Sequence, residues 1–465
     1  MGEEEGDDVQ LQARLIESSP AGEASHPLLK RTGTTWTAVA HIITGVIGAG
    51  VLSLAWSVAQ LGWVLGPICI LCFAFITGLS TFLLCDCYKY PDPEFGATRS
   101  RSLMEAVRLY LGERQQWICG IFANESLYGT TIAYTITAAA SIKAILQSNC
   151  YHREGHNAPC EYSDSVYMLL FGLVQIVMSQ IPDFHNMGWL SVVAAIMSFS
   201  YASIGFGLGL AKVIENGRMK GSIAGVTYTS LTSKLWTSFE AIGDIAYAYP
   251  YAVIVLEIQD TLKSPPPESQ TMKNASVIAL VVTTCFYLCC GCFGYGAFGN
   301  DTPGNLLTGF GFYEPYWLVD LGNACIVLHL VGGYQIFSQP IFGTVDRWAS
   351  RKFPNSRFLN DYSFRFLPRF KVNLFRICFR TLYVMSTTAI AILFPYFNSV
   401  IGVLGALNFW PLSIYFPVEM YFAQRKVRAW SREWILLWAF SCFCLLVSAM
   451  GFIGSLTELI IEKSS

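Results

Sequence analysis

Gly45-Val46-Ile47-Gly48-Ala49-Gly50 lies near the centre of a long apolar segment that covers residues 36–58. Each glycine destabilises a helix by about 1 kcal/mol relative to alanine, and this stretch holds three of them. Irregular backbone inside a membrane is tolerated only where it lines a cavity or is packed within protein. The stretch therefore predicts a membrane helix that unwinds at mid-span. The alternative is a close helix-packing face made of small residues.

A second stretch with the same character runs from Ala241 to Pro250, inside the apolar segment 238–258. It contains a glycine, a carboxylate that must lie within the membrane, and a proline, which removes a backbone donor and disfavours helix. We predict a second interrupted helix here. The predicted break is the stretch from Ala241 to Pro250 as a whole.

The remainder of the chain is also apolar. Of its 465 residues 53% are hydrophobic and 13% are charged, about half the charge of soluble domains. Because about 20 apolar residues cross a bilayer, the sequence predicts an all-α integral membrane protein with eleven transmembrane helices. The predicted spans are 36–58, 63–85, 117–147, 165–182, 188–211, 238–258, 276–299, 316–343, 374–396, 398–422 and 434–457. Residues 1–35 are predicted to be a disordered cytosolic tail, and residues 458–465 an extracellular tail.

The distribution of Lys and Arg predicts the orientation. With a cytosolic N-terminus, 23 of the 30 Lys and Arg residues lie on the inner side, as positive charge does in membrane proteins. The C-terminus is then extracellular. Only Cys150 and Cys160, of 15 cysteines, fall in an outer loop, where the oxidising side favours a disulfide. Two free thiols are the alternative.

The two predicted breaks fall in the first spans of two successive five-span halves, about 36–211 and 238–422, with 434–457 as an extra helix. Halves of opposite orientation whose first helices are broken form many secondary transporters, which bind substrate at the midplane. The outer half of span 1 would turn its positive N-terminal end toward a carboxylate, and span 6 would offer carbonyls and Asp244 to an ammonium group. An α-amino acid fits both. The predicted substrate-binding residues are Gly45, Val46, Ile47, Gly48, Ala49, Gly50, Gly243, Asp244, Ala246 and Tyr247.

Ionisable side chains within membrane spans are costly and indicate function by default. We predict that Asp244 couples transport to protons; a structural acceptor for unwound backbone is the alternative. His41 and His329 are further candidates, since histidine titrates in the relevant pH range, although a lone histidine can also be a packing residue. Glu125 ranks below Asp244 as a proton-binding group. Glu257 is interpreted as ordering the loop that follows it.

The residues from Thr32 to Trp56, which include His41 and the glycine stretch, closely resemble the opening of plant amino acid permeases. Gly243-Asp244-Ile245-Ala246 and Glu257-Ile258-Gln259-Asp260-Thr261 resemble the sixth-span region of the same family, in the amino acid/auxin permease group. The resemblance extends from about Thr32 to the end of the chain. It implies a LeuT-like 5+5 inverted repeat, symport of amino acids with protons across the plasma membrane, and a transport role for His41 and His329.

Other functions are weighed against this expectation. A carrier of auxin or another organic acid would need only the carboxylate site, and a non-transporting amino acid receptor would bind without flux. No nucleophile elbow, metal-ligand pair or Walker motif suggests an enzyme or an ATP-driven pump. Without basic patches, no nucleic-acid partner is expected. We predict no metal and no cofactor other than the proton, with the lipid bilayer as surroundings; the oligomeric state is not predicted.

Overall fold

A computed structural model of the protein describes residues 31–155, 157–181, 188–310, 314–364 and 367–464. Residues 1–30 of the predicted tail lie outside the described residues. The helices are α1 Thr35–Val46, α2 Gly50–Asp86, α3 Leu103–Leu111, α4 Glu113–Glu154, α5 Asp164–Ser179, α6 Gly188–Glu215, α7 Leu231–Ala248, α8 Ala252–Asp260, α9 Glu268–Phe298, α10 Tyr316–Lys352, α11 Leu374–Leu393, α12 Phe397–Trp410, α13 Phe416–Arg425 and α14 Arg432–Ser464. Two short antiparallel hairpins join β1 Lys89–Tyr90 to β2 Thr98–Arg99 and β3 Asp361–Phe364 to β4 Leu367–Asn373.

Nine helical stretches within the described ranges are long and apolar enough to cross a membrane, while α1 and α5 are shorter apolar helices. Leucines and phenylalanines of α14, including Leu436, Phe443 and Leu446, are exposed on its surface, as expected for a helix that faces lipid. The protein is therefore a helical, multi-pass membrane protein. The count of eleven spans and the inverted repeat remain predictions.

The predicted spans 36–58 and 63–85 differ from the observed helices at their junction. Helix α2 contains the end of the first and the whole of the second, separated only by Gly62. Gly62 has φ +83°, and a Cβ there would collide with the carbonyl oxygen of Ile223. Only glycine adopts this conformation without strain, so one residue makes the turn that the prediction assigned to a short loop.

Other helices are also longer than predicted, and α4, α10 and α14 are examples. Helix α4 fills the interval between Gly112 and Gly155, which both have positive φ. Helix α10 continues to Lys352, beyond the predicted limit of 343. Helix α14 continues to Ser464 through the predicted tail. Hydropathy detects only the apolar part of a helix. The backbone hydrogen bonds of the helix continue through polar residues until the chain reaches a residue that disfavours helix, such as glycine.

The bundle interior is formed where α7 packs against α2, α12 and α14, α9 packs against α2, and α10 packs against α4 and α6. Large aromatic side chains fill it: Tyr201, Tyr249, Tyr287, Tyr334 and Phe409 are almost fully buried. Buried tyrosines bring hydroxyl groups into an apolar core, where each needs a hydrogen-bond partner. Tyr201 and Tyr287 find it at the interrupted helices.

Candidate substrate cavity

The first interruption lies between α1 and α2, where Ile47, Gly48 and Ala49 leave the helical path. Its carbonyl groups are satisfied by side chains from other helices. Tyr287 of α9 donates to the Val46 carbonyl at 2.8 Å, and Ser198 of α6 donates to the Ile47 carbonyl at 2.8 Å. Side chains of the surrounding helices donate to the freed carbonyls. The unwound segment is therefore a stable part of the fold.

The Gly48 amide donates to the Val46 carbonyl, so the amide groups left for a ligand are those at the start of α2. Helix α2 begins at Gly50, and its cap residue Ala49 supplies no side-chain hydrogen bond. The first N–H groups of a helix lack partners within it and carry partial positive charge. Gly48, Ala49 and Gly50 all line a cavity of about 90 Å³. This helix end is therefore suited to an anionic group in that cavity.

The second interruption lies between α7, which ends at Ala248, and α8, which begins at Ala252. Pro250 stands in the gap, where its missing N–H prevents continuation of the helix. The two interruptions touch each other: a Cβ on Gly50 would lie 2.8 Å from the Cα of Ala248. The hydroxyl of Tyr287 also lies 2.8 Å from the Ala248 carbonyl oxygen. One tyrosine thus joins the two broken helices.

The structure brings together seven of the ten predicted substrate-binding residues around the 90 Å³ cavity: Gly45, Val46, Gly48, Ala49, Gly50, Ala246 and Tyr247. Ile47, Gly243 and Asp244 do not line it. The side chain of Ile47 is fully buried. Gly243 packs against α12, where a Cβ would lie 2.7 Å from the Gly402 carbonyl oxygen. Gly243 therefore permits close helix packing, and the chain breaks at the other end of the predicted stretch, next to Pro250.

Asp244 lies in intact helix, one turn before the break. Its side chain is fully buried, its Oδ2 lies 3.5 Å from the Ser57 hydroxyl, and its Oδ1 has no hydrogen-bond partner within the described part of the chain. Because its neighbours are α2 and α12 and not the cavity, Asp244 is not placed to bind a substrate ammonium group directly.

The opposite wall of the cavity contains residues that the sequence analysis did not predict, from α4 and from α12 and the π-helical turn Pro411–Tyr415 that follows it. They include Thr130, Tyr134, Asn408 and Ser413. Asn408 donates through Nδ2 to Glu125 Oε2 at 2.6 Å, while its Oδ1 has no partner among the residues described. Glu125 thus supports the cavity wall through Asn408. Nothing in the apolar pattern of spans 3 and 10 marks which face turns inward.

A second cavity, of about 300 Å³, adjoins the first and shares Gly45, Tyr134, Ile254 and Phe337 with it. His41, Glu257 and His329 line this second cavity. Glu257 therefore faces a cavity, which its interpretation as a loop-ordering residue did not include. The structure brings the two predicted histidines to one cavity, whereas Asp244 and Glu125 lie elsewhere.

The hydrogen bonds of His329 define its tautomer. Its Nδ1 lies 3.1 Å from the Ala194 carbonyl oxygen, which can only accept, so Nδ1 carries a hydrogen. Ser198 Oγ, also 3.1 Å from Nδ1, accepts from the same group because its own hydrogen goes to the Ile47 carbonyl. Nε2 is buried and has no partner in the described ranges. It is a proton acceptor connected through Ser198 to the first interruption.

Cys150 and Cys160 form a disulfide. Among the residues that the structure describes, no three His, Cys, Asp or Glu side chains are grouped as a metal site.

The sequence model of the family described as "Transmembrane amino acid transporter protein" matches residues 31–461. The chain belongs to this family. Within it, the transporter is 58% identical to "Probable amino acid permease 7" of Arabidopsis thaliana, over 93% of this chain and 94% of that one. It is 51% identical to "Amino acid permease 4" of the same plant, over 93% and 94% of the two chains. The resemblance to plant amino acid permeases is confirmed.

The transporter is also similar to more distant proteins. It is 30% identical to the Arabidopsis thaliana "Lysine histidine transporter-like 1", over 93% of this chain and 90% of that one. The solved structure of MhsT in complex with L-phenylalanine matches with a TM-score of 0.54 at 11% identity, covering 90% of this chain and 98% of that chain. At this identity the likeness concerns the fold alone, which is that of a LeuT-like transporter.

Proposed function

We propose that this transporter imports amino acids into the cytosol together with protons, by alternating access across the plasma membrane. The observation that carries the proposal is the 90 Å³ cavity between two touching helix interruptions. The free amides at the start of α2 suit a carboxylate, and the Ala248 carbonyl at the end of α7, which has two lone pairs and accepts from Tyr287, suits an ammonium group. The names of the permease relatives agree with an amino acid substrate.

Proton coupling is assigned to groups around the two interruptions. His329 offers an unpartnered Nε2 to the second cavity, and His41 lines the same cavity. Asp244 is a fully buried carboxyl group one turn from the second break. A proton bound there changes the charge next to α2, so it can favour one conformation of the broken helices over another.

The proposal is tested by electrophysiology in oocytes that express the transporter, with single amino acids at varied external pH. Inward currents that grow on acidification are expected. Currents evoked by organic acids without an amino group would favour the auxin-type carrier, and binding without flux would favour a receptor.

The role of Asp244 is tested with Asp244→Asn. We expect this variant to reach the membrane but to lose proton-driven accumulation. Asp320→Asn is the control, because Asp320 accepts from Asn149 at 2.6 Å, away from both cavities. Accumulation by Asp244→Asn as large as that of the wild type would remove Asp244 from the coupling role.

A further inference from the structure

A single hydroxyl group lies between two carboxyl groups where α7, α12 and α14 meet. Ser399 Oγ is 2.6 Å from Glu240 Oε1 and 2.7 Å from Glu462 Oε2. A serine hydroxyl has one hydrogen, and ionised carboxylates only accept. If both glutamates were ionised, one of the two contacts would place a carboxylate oxygen and the serine oxygen at hydrogen-bond distance with no hydrogen between them. One of the two glutamates is therefore a carboxylic acid that donates to Ser399, so the three residues together hold a proton.

No cation pairs with Glu240, the buried member of the two glutamates, among the residues that the structure describes. Ser399 is fully buried and Glu240 is 3% exposed. No ion pair within the described ranges involves Glu240, Asp244 or Glu458. An ionised carboxylate that is buried without a cation costs free energy. This cost agrees with the conclusion that one of the two glutamates is protonated.

The other titratable groups near the site have their own partners. Glu458 of α14 accepts from Thr237, and Tyr228 donates to Gln60. Lys463 donates to the Leu393 carbonyl at 2.9 Å, and Lys234 donates to the backbone carbonyls of Gln60 and Val226. Neither lysine donates to Glu240 in these bonds.

A second, independent observation lies one turn deeper. Asp244 follows Glu240 by four residues on α7, so both project from the same helix face. The Oδ1 of Asp244 and the hydroxyl of Ser455 are both buried without a hydrogen-bond partner among the described residues. Both atoms face Gly402, where a Cβ would lie 3.1 Å from Asp244 Oδ1 and would collide with Ser455 Oγ. A buried, unpartnered carboxyl oxygen beside another hydroxyl is a place for a further proton.

From Asp244, two serine side chains of α2 lead toward the substrate cavity, each bonded to a backbone carbonyl. Ser57 Oγ lies 3.5 Å from Asp244 Oδ2 and 3.1 Å from the Ser53 carbonyl oxygen, and Ser53 Oγ donates to the Gly50 carbonyl at 3.0 Å. Gly50 lines the cavity. Glu462, at the other end, is exposed near the C-terminus of α14. Buried polar groups thus lie between an exposed carboxyl group and the first helix interruption.

We propose that Glu462, Ser399 and Glu240 are the site at which coupling protons enter from the side predicted to be extracellular, and that Asp244 receives the proton from Glu240. The Glu462 acid gives its proton to Ser399 Oγ while the Ser399 hydroxyl proton passes to the Glu240 carboxylate. This leaves Glu462 ionised, serine unchanged and Glu240 protonated. The proposal rests on the proposed proton symport and adds to it the path of the proton.

The experiment measures apparent amino acid affinity against external pH in oocytes that express the wild type, Glu462→Gln, Ser399→Ala or Glu458→Gln. One coupled proton changes an apparent binding constant by at most about tenfold per pH unit. We expect the wild type and Glu458→Gln to show this dependence. We expect Glu462→Gln and Ser399→Ala to flatten it to less than about twofold per pH unit, because the relay is interrupted. Glu458 is the matched control, one turn from Glu462 on the same helix.

The outcomes separate this proposal from the one on which it rests. Wild-type affinity that does not change with pH overturns both the symport and this site. A pH-dependent wild type, with equally pH-dependent Glu462→Gln and Ser399→Ala, overturns the site alone.

A second measurement does not depend on transport. Infrared spectra of the purified protein at neutral pH should contain a carboxylic acid C=O band that shifts in D2O. The band should weaken in a Glu240→Gln/Glu462→Gln double variant and persist in Glu458→Gln. A spectrum left unchanged by the double variant would show that these glutamates hold no proton.

Discussion

The Tyr287 hydroxyl, on α9, donates a hydrogen bond of 2.8 Å to the carbonyl oxygen of Val46, the last residue of α1. The same hydroxyl lies 2.8 Å from the carbonyl oxygen of Ala248, the last residue of α7. A hydroxyl has one hydrogen, so the Tyr287 hydroxyl donates to one carbonyl at a time or shares its hydrogen between the two. The fully buried ring of Tyr287 therefore holds the two broken helices to a common point.

We expect Tyr287→Phe to lower the free energy of unfolding by about 1–3 kcal/mol, because buried carbonyls lose their donor while the ring still fills its space. Thermal unfolding of the purified protein measures this. Tyr249→Phe is the matched control: Tyr249 stacks edge-on against Tyr287, but its hydroxyl bonds another hydroxyl, that of Thr284. Equal melting temperatures for Tyr287→Phe and the wild type would contradict the bridging role.

The unpartnered Oδ1 of Asn408 predicts how the cavity discriminates among substrates. It is a buried acceptor in the cavity wall, held in place because Nδ2 donates to Glu125. We expect Asn408→Leu to weaken uptake of amino acids with a side-chain donor, such as glutamine, by about two- to tenfold relative to methionine.

Competition uptake with glutamine and methionine gives the ratio for Asn408→Leu. Asn323→Leu is the control, since Asn323 is a fully buried asparagine with an unpartnered Oδ1 that lines neither cavity. A ratio that shifts equally in both variants would show that the effect comes from folding and not from the cavity.

The disulfide allows the predicted orientation to be tested on intact cells. Cys150 and Cys160 should react with a membrane-impermeant maleimide only after reduction, because they are paired and lie on the side predicted to be extracellular. Asn355→Cys, in the exposed turn after α10, should react only once the membrane is permeabilised. A Cys150→Ser/Cys160→Ser variant provides the background. Labelling of Asn355→Cys on intact cells would reverse the orientation.

The sequence predicted the first interruption closely, because three glycines in six residues oppose a helix wherever the chain lies. It predicted the second only as the stretch from Ala241 to Pro250: the helix breaks at the Pro250 end, and Gly243 instead allows α12 to approach. The cavity wall of Asn408 and Ser413 could not be predicted, since uniformly apolar spans do not show which face turns inward. The contact of Ser399 with Glu240 joins residues 159 positions apart and leaves no local pattern.

The close approach of the two interruptions predicts that Gly50→Ala lowers uptake, although intrinsic helix propensity favours alanine. Gly50 is the first residue of α2, and a Cβ there would lie 2.8 Å from Ala248 Cα and 3.3 Å from Tyr247 Cδ1. Alanine favours helix over glycine by about 1 kcal/mol in a helix interior, so propensity alone does not predict harm from Gly50→Ala. We expect the opposite outcome, a loss of uptake of about tenfold or more, because backbone of α7 cannot move aside as a flexible side chain would.

Gly205→Ala is the matched control for this prediction. Gly205 lies within α6, and a Cβ there would meet only Leu306 Cδ2 at 3.4 Å and Leu307 Cδ2 at 3.7 Å. That is ordinary contact with the ends of side chains, so uptake should stay near the wild-type level. Uptake is compared after surface labelling has equalised the amount of protein. If Gly50→Ala transported as well as Gly205→Ala, the two broken helices would not need their contact at Gly50, and the binding cavity would have to tolerate their separation.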